Sequence, residues 1–231
     1  MRSRKAPCSI CSIIMRKIPL VTDQIYHIFT RSIDKNVVFK EESDYIRAIE
    51  AIKYYIYESL PLSFSNYCKL KDKDSFNSKH DLTNQKEVVE IIAYCIMPTH
   101  IHLVLKQSID NGIILFIRKL LDSYTRYYNI KNRRMGPLWQ GKFKSVLVDS
   151  SEQLLHLTRY VHLNPTTAGL VNNPEDWPYS SYLEYLNKSY DKMCNYVEYL
   201  DIDMKDYQEF VDDRKSYQRE LGLLKHLTIE E

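Results

Sequence analysis

No stretch of this 231-residue chain approaches the ~18 consecutive apolar residues that a membrane-spanning helix needs. The N-terminal segment carries Arg2, Arg4 and Lys5 but is interrupted by Ser12, Arg16 and Lys17, so it lacks the apolar core and cleavage signature of a signal peptide. The expectation is a cytoplasmic protein that makes no membrane contact. Cysteine is also sparse: Cys8, Cys11, Cys68, Cys95 and Cys194 are odd in number and scattered. Cys8 and Cys11 form a C-x-x-C, but no second pair stands at zinc-ribbon spacing and no strand–helix context makes it a redox turn, so the cysteines read as reduced thiols. Five glycines against nineteen tyrosines fit a biased base composition in the source genome, and the tyrosine count says little about function.

Acidic residues are nearly missing from one region. Between Arg118 and Lys144 stand eight basic residues and a single acid, Asp122, a charge of +7 in a chain of +2, which leaves −5 for the other residues. Tyr124, Tyr127, Tyr128, Trp139 and Phe143 are interleaved with these charges. A block this one-sided reads as a polyanion-binding surface. Arg118, Lys119, Arg126, Arg133, Arg134, Lys142 and Lys144 are its candidate nucleic-acid contacts, and Trp139 and Phe143 are candidates for stacking on unpaired bases.

The length suits one domain with a tail. Residues 1–20 read as a basic arm, 21–185 as the domain, and 186–231, with Asp201, Asp203, Asp206, Glu209, Asp212 and Asp213, as an acidic helical extension. Period-two alternation predicts strands over 24–30 and 143–148, and apolar runs predict strands over 88–97 and 99–106; the second and third strands in chain order are parted only by Pro98 and Thr99, as a tight hairpin or a kinked strand. Apolar residues at spacings of three and four predict helices over 41–57 and 113–130. A third helix, capped by Ser150 or Ser151, is expected to stop at Pro165, because proline disfavours the helical region for the residue before it. Such an order suggests an α+β fold, an antiparallel sheet with helices packed on it.

Met97-Pro98-Thr99-His100-Ile101-His102-Leu103 is the most informative stretch. Strand periodicity points His100 and His102 out of one face, and two neutral imidazoles make half of a divalent-metal site that leaves the ion's charge available to an anionic substrate. Tyr160 and Asn164 stand four apart on the third helix and so share a face. The amide could complete a site of two imidazoles and one carbonyl oxygen, with the phenol about one helical turn (~5 Å) away. Such a set suits phosphoryl transfer, with the tyrosine oxygen attacking phosphorus. Tyr124 is the competing nucleophile, and His156, four before Tyr160, could line the site or simply pack.

Met97-Pro98 with His100-Ile101-His102, Gly136-Pro137-Leu138-Trp139-Gln140-Gly141-Lys142-Phe143-Lys144, and Leu155 through Pro165 occur in an order that resembles the REP-associated tyrosine transposases. These form the single-tyrosine branch of the HUH (His-hydrophobic-His) nucleases, and Tyr26-His27-Ile28 is similar to the family's first strand. The resemblance spans about residues 20–185. It implies an RRM-like, ferredoxin-like sheet, His100, His102 and Asn164 as ligands of Mg2+ or Mn2+, and Tyr160 as nucleophile. It further implies cleavage of single-stranded DNA near hairpins, leaving a 5′-phosphotyrosine and a 3′-hydroxyl, by a monomer or a homodimer. Thr99 departs from the family's usual Asn and is expected to affect the turn more than the chemistry. A binding module without cleavage activity and a water-using metal nuclease are the alternatives.

Overall fold

The structure, a computed structural model, describes residues 19–81, 84–189 and 192–213. Most of the expected arm, with Cys8 and Cys11, and the end of the acidic extension lie outside these residues. In chain order the elements are β1 (Ile25–Arg31), α1 (Glu42–Tyr55), α2 (Phe64–Tyr67), α3 (Lys73–Lys79), β2 (Val89–Met97), β3 (His100–Gln107) and α4 (Gly112–Lys131). β4 (Lys144–Leu147), α5 (Ser151–Thr167), α6 (Tyr182–Tyr185) and α7 (Met204–Asp212) follow. The four strands form one antiparallel sheet in the order β2-β3-β1-β4, the ferredoxin-like arrangement of two β-α-β units. Pro98 and Thr99 make a tight hairpin, with Met97 opposite His100.

Strand alternation sorts the core into two layers. Ile28, Ile101, Leu103 and Leu105 face α1 and α4, packing on Ala48, Ile52, Phe116, Ile117, Leu120 and Tyr124. Cys95, Met97 and Val104 face the opposite way, onto Leu154, Val161 and Leu163 of α5 and Tyr182, Tyr185, Tyr207 and Val211 beyond it. Asp44 joins the two helices of the first layer: buried at the start of α1, it accepts hydrogen bonds from Lys131 Nζ (2.6 Å) and Tyr127 Oη (2.9 Å) of α4. Two N–H groups and this lysine hold its carboxyl below the usual carboxylate range even though burial alone would raise it.

The outer edge of β2 does not face water. Ile96 N–H donates to Tyr179 O (2.9 Å), Asn195 N–H to Ile91 O (2.8 Å) and Ser181 N–H to Tyr94 O (3.0 Å), so the chain after α5 covers the edge. Described residues 192–203 contain no helix, and α7 inserts Tyr207 and Val211 into the second core. The acidic extension therefore packs as part of the sheet's second layer, with one helix in its described part.

α5 departs from expectation at its end. Ser150 Oγ accepts from Gln153 N–H (3.1 Å) and starts the helix as expected, but the helix runs through Pro165 to Thr167. The proline falls in the last turn, where only one ring-closing N–H is lost. Ala168 N–H bonds Asn164 O, Leu170 N–H bonds Pro165 O, and Gly169 at φ +70° closes the end in the left-handed conformation.

Candidate active site

Register decides what surrounds the histidine pair. His100 lies opposite Arg31 and Met97, and His102 opposite Phe29 and Cys95. Residues directly opposite share a face, so both imidazoles leave the sheet on the α5 side. Their ring centroids are 4.9 Å apart with planes at 82°. His100 is half-buried and His102 is buried. The Nε2 atom of His102 is buried and makes no hydrogen bond, while its Nδ1 lies 3.0 Å from Nε2 of His27. Thr99 Oγ1 lies 2.9 Å from Nδ1 of His100. Thr99, expected to affect the turn more than the chemistry, thus touches a histidine of the pair, because its hydroxyl folds back over the following residue.

α5 presents Tyr160 to this pair. The phenol ring meets His102 edge-on with centroids 5.7 Å apart, and His27 likewise at 6.1 Å. One turn further on, Asn164 Nδ2 donates to Tyr160 O (2.9 Å), which turns the amide oxygen away from that carbonyl. α5 itself is fixed from behind. His162 is fully buried, with Nδ1 2.6 Å from Tyr207 Oη and Nε2 2.8 Å from Ser181 Oγ, and burial pushes its pKa down to about 3, so the ring stays neutral. Arg159 lies over the Phe210 ring at 3.8 Å and donates to Phe210 O. His156 contacts Arg159 and Phe210, which is its packing role.

Tyr124 sits on the other side of the sheet. It is buried in the first core, donates to Val38 O (2.8 Å), and burial lifts its phenol far above the ordinary range. No phosphodiester can reach it. Trp139 also has to be reassigned: it is buried against Phe39 and Tyr124 and its Nε1–H donates to Leu121 O, so it offers no open ring face to a base.

The basic block divides between the two layers. Arg118, Lys119 and Arg126 ride on α4, on the layer opposite the histidines, with Lys119 Nζ 3.5 Å from Glu58 O and Arg126 Nε donating to Asp122 O. Arg134 is tied into its own loop through Asn129 Oδ1 (2.9 Å) and Pro137 O (2.6 Å); Arg133 beside it is exposed. Lys142 and Lys144 are exposed, and Lys144, opposite Phe29, shares the face of the histidines with its Nζ 5.7 Å from the Phe29 ring. Arg31 stands on that face too and escaped the sequence reading.

Among the described residues no three His, Cys, Asp or Glu side chains form a metal-holding cluster, so an ion here would take two imidazoles and a neutral oxygen. The residues fit such an ion: a buried ring nitrogen, a second imidazole beside it, and an amide with its nitrogen already engaged.

A ferredoxin-like sheet with a His-x-His pair on a central strand, facing a helix-borne tyrosine, defines the single-tyrosine HUH class. The family model described as IS200-like transposase matches residues 20–164, and the chain belongs to that family. A REP-associated tyrosine transposase of Haemophilus influenzae is 32% identical over 120 residues, 47% of this chain and 68% of the relative. One from Escherichia coli is 26% identical over 95 residues, 40% of this chain and 54% of the relative. Among solved structures, a REP-associated tyrosine transposase bound to a REP hairpin superposes with a TM-score of 0.52 at 15% identity, covering 78% of this chain and 88% of that one. Among the described residues no helix is long and apolar enough to cross a membrane.

Proposed function

We propose that this transposase nicks and rejoins single-stranded DNA near hairpins through a covalent 5′-phosphotyrosine on Tyr160. The observation that carries the reading is the Tyr160 ring set edge-on to His102 at 5.7 Å, on the same face of the sheet as His100. A divalent ion, Mg2+ or Mn2+, held by His100, His102 and the Asn164 amide oxygen would supply polarisation of a phosphate oxygen. The rest falls to the chain itself. Tyr160 Oη forms a bond to phosphorus as the bond to O3′ breaks; the phenol gives up its proton and O3′ takes one, leaving a free 3′-hydroxyl. The reverse attack by a 3′-hydroxyl restores the tyrosine and joins strands without a nucleotide cofactor. Lys144 and Arg31, on the same face, are placed to meet the phosphates beside the cleaved one.

The test is incubation with Mn2+ and a single-stranded oligonucleotide bearing a hairpin, followed by denaturing electrophoresis. With a 3′-labelled substrate, a slower-migrating protein band carrying the labelled half downstream of the cut is expected. Cleavage with water as nucleophile, giving no such band, would overturn the tyrosine mechanism, and binding without any cleavage would leave a DNA-binding module.

A further inference from the structure

Both histidines of the pair are held through the same ring nitrogen. Nδ1 of His102 meets Nε2 of His27 at 3.0 Å, and Nδ1 of His100 meets the Thr99 hydroxyl at 2.9 Å. The first contact has an informative shape. The two ring planes are only 15° apart and the centroids 5.2 Å apart, although the nitrogens are 3.0 Å apart. Rings that close in nitrogen and that distant in centre meet edge to edge, so the hydrogen bond lies in the plane of both. The register of β1 on β3 produces this: Phe29 faces His102 directly, and His27, two residues back on the same face, reaches it along the diagonal.

A neutral imidazole has one proton to place. The nitrogen that donates keeps it, and the other nitrogen carries the lone pair that can bind an ion. We propose that His27 and Thr99 are positioning residues that accept the Nδ1–H of His102 and of His100, fixing both rings in the tautomer whose lone pair is on Nε2. The two Nε2 atoms are then the ligating atoms, and His27 keeps its own proton on Nδ1. The proposal rests on the reading that the pair holds a divalent ion. If His27 instead donated from Nε2, His102 would present an N–H at Nε2, a hydrogen-bond donor for a phosphate oxygen and no ligand.

Two measurements on the full chain separate these states. In the metal-free protein at pH 8, with histidines labelled with 15N and assigned by loss of signals in H100Q and H102Q, long-range 1H–15N spectra report which nitrogen bears the proton. Protonated Nδ1 with an unprotonated Nε2 is expected for both rings, and a protonated Nε2 on either would overturn the assignment for that ring. Through-bond correlations in the wild-type chain supply the same assignment where H100Q or H102Q fails to fold, so this measurement does not depend on a variant. Mn2+ titrations followed by electron paramagnetic resonance supply the second measurement. H27F and T99V should each weaken Mn2+ binding by about ten- to a hundred-fold, the usual cost of losing a residue that orients a metal-bound histidine. H27Q and T99S, which keep an acceptor, should recover most of that loss. Affinity in H27F and T99V equal to that of the wild type would overturn the positioning role while leaving the metal site intact. A wild type that binds no Mn2+ would instead remove the metal reading itself, and with it the ligating role of the two Nε2 atoms.

Discussion

Two tyrosines on two helices offered themselves as nucleophiles, and the structure makes exchanging their hydroxyls for hydrogen a discriminating experiment. Y124F removes a hydroxyl that donates to Val38 O at 2.8 Å inside the first core. A buried hydrogen bond of this kind contributes about 0.5–1.5 kcal/mol net, and leaving its carbonyl partner unsatisfied costs up to about 1–3 kcal/mol, so a loss of about 1–2 kcal/mol is expected. In a chain of this size each kcal/mol lowers the melting temperature by about 2–4 °C. Tyr160 is only half-buried, so Y160F should change stability by no more than about 0.5 kcal/mol. The covalent assay should show the inverse. Y124F keeps the protein–DNA adduct, whereas Y160F loses it while still shifting the oligonucleotide in a gel. Thermal unfolding and adduct formation measured side by side should therefore rank the two variants in opposite order. An adduct that persists in Y160F and disappears in Y124F would refute the assignment, since it would require the DNA to reach the α4 side of the sheet.

K142A and K144A should each lower the slope of log affinity against log salt by about one, as expected for a phosphate contact, while R118A and R126A on the α4 layer leave it unchanged; equal slope changes would put DNA on both layers. Gly112 opens α4 against the backbone of Val88, the residue just before β2: a Cβ there would stand 2.0 Å from Val88 O and 3.0 Å from Val88 C. G112A should thus destabilise by about 1–3 kcal/mol in urea unfolding, and an unaffected midpoint would mean that the helix start shifts without cost. His162, whose pKa in the folded chain is about 3, must stay neutral where the unfolded chain would protonate it. Its stabilisation is present above pH ~6.5 and is lost as pH falls toward 3, by about 2 kcal/mol at pH 5; H162Q should show a correspondingly shallower acid loss, and parallel curves would refute the burial argument.

The sequence carried the strands, the three long helices and the facing of His100 and His102 because each rests on a period written in local residue order. It carried the Tyr160–Asn164 face for the same reason. His27 was visible only as part of a strand. A lone histidine in an alternating segment has no partner to announce it, and its importance comes from a register that sets it diagonal to His102, 75 residues away. The basic block shows the opposite failure. Charge summed along the chain does not record that α4 buries its apolar side on one layer while Lys144 emerges on the other. Trp139 misled for a related reason: an aromatic among arginines looks like a base-stacking platform until the loop folds it against Phe39. Pro165 was read as a stop because a proline bars its predecessor from the helix in most contexts, but in a final turn closed by Gly169 that cost is small.

Asn164 supplies the sharpest test of the proposed neutral ligand set. Its Nδ2 donates to Tyr160 O at 2.9 Å, so the amide is held by the residue it serves, with its oxygen as the remaining donor atom. In the proposed site two imidazoles and an amide would leave the full charge of a divalent ion to attract a phosphodiester. N164D replaces the amide with a carboxylate that has no N–H for the Tyr160 carbonyl and adds one negative charge to the ion's surroundings. Mn2+ should bind about tenfold tighter or more, because the new attraction acts at contact distance. Adduct formation should nevertheless slow, since the site now presents one positive charge where it had two and so attracts and polarises the phosphate more weakly. N164A should lose on both counts, weakening Mn2+ and adduct formation together. The opposed response of affinity and rate in N164D is the signature of a ligand whose neutrality matters. If N164D and N164A both bind Mn2+ like the wild type, Asn164 is no ligand, and its part in the site is confined to the carbonyl of Tyr160.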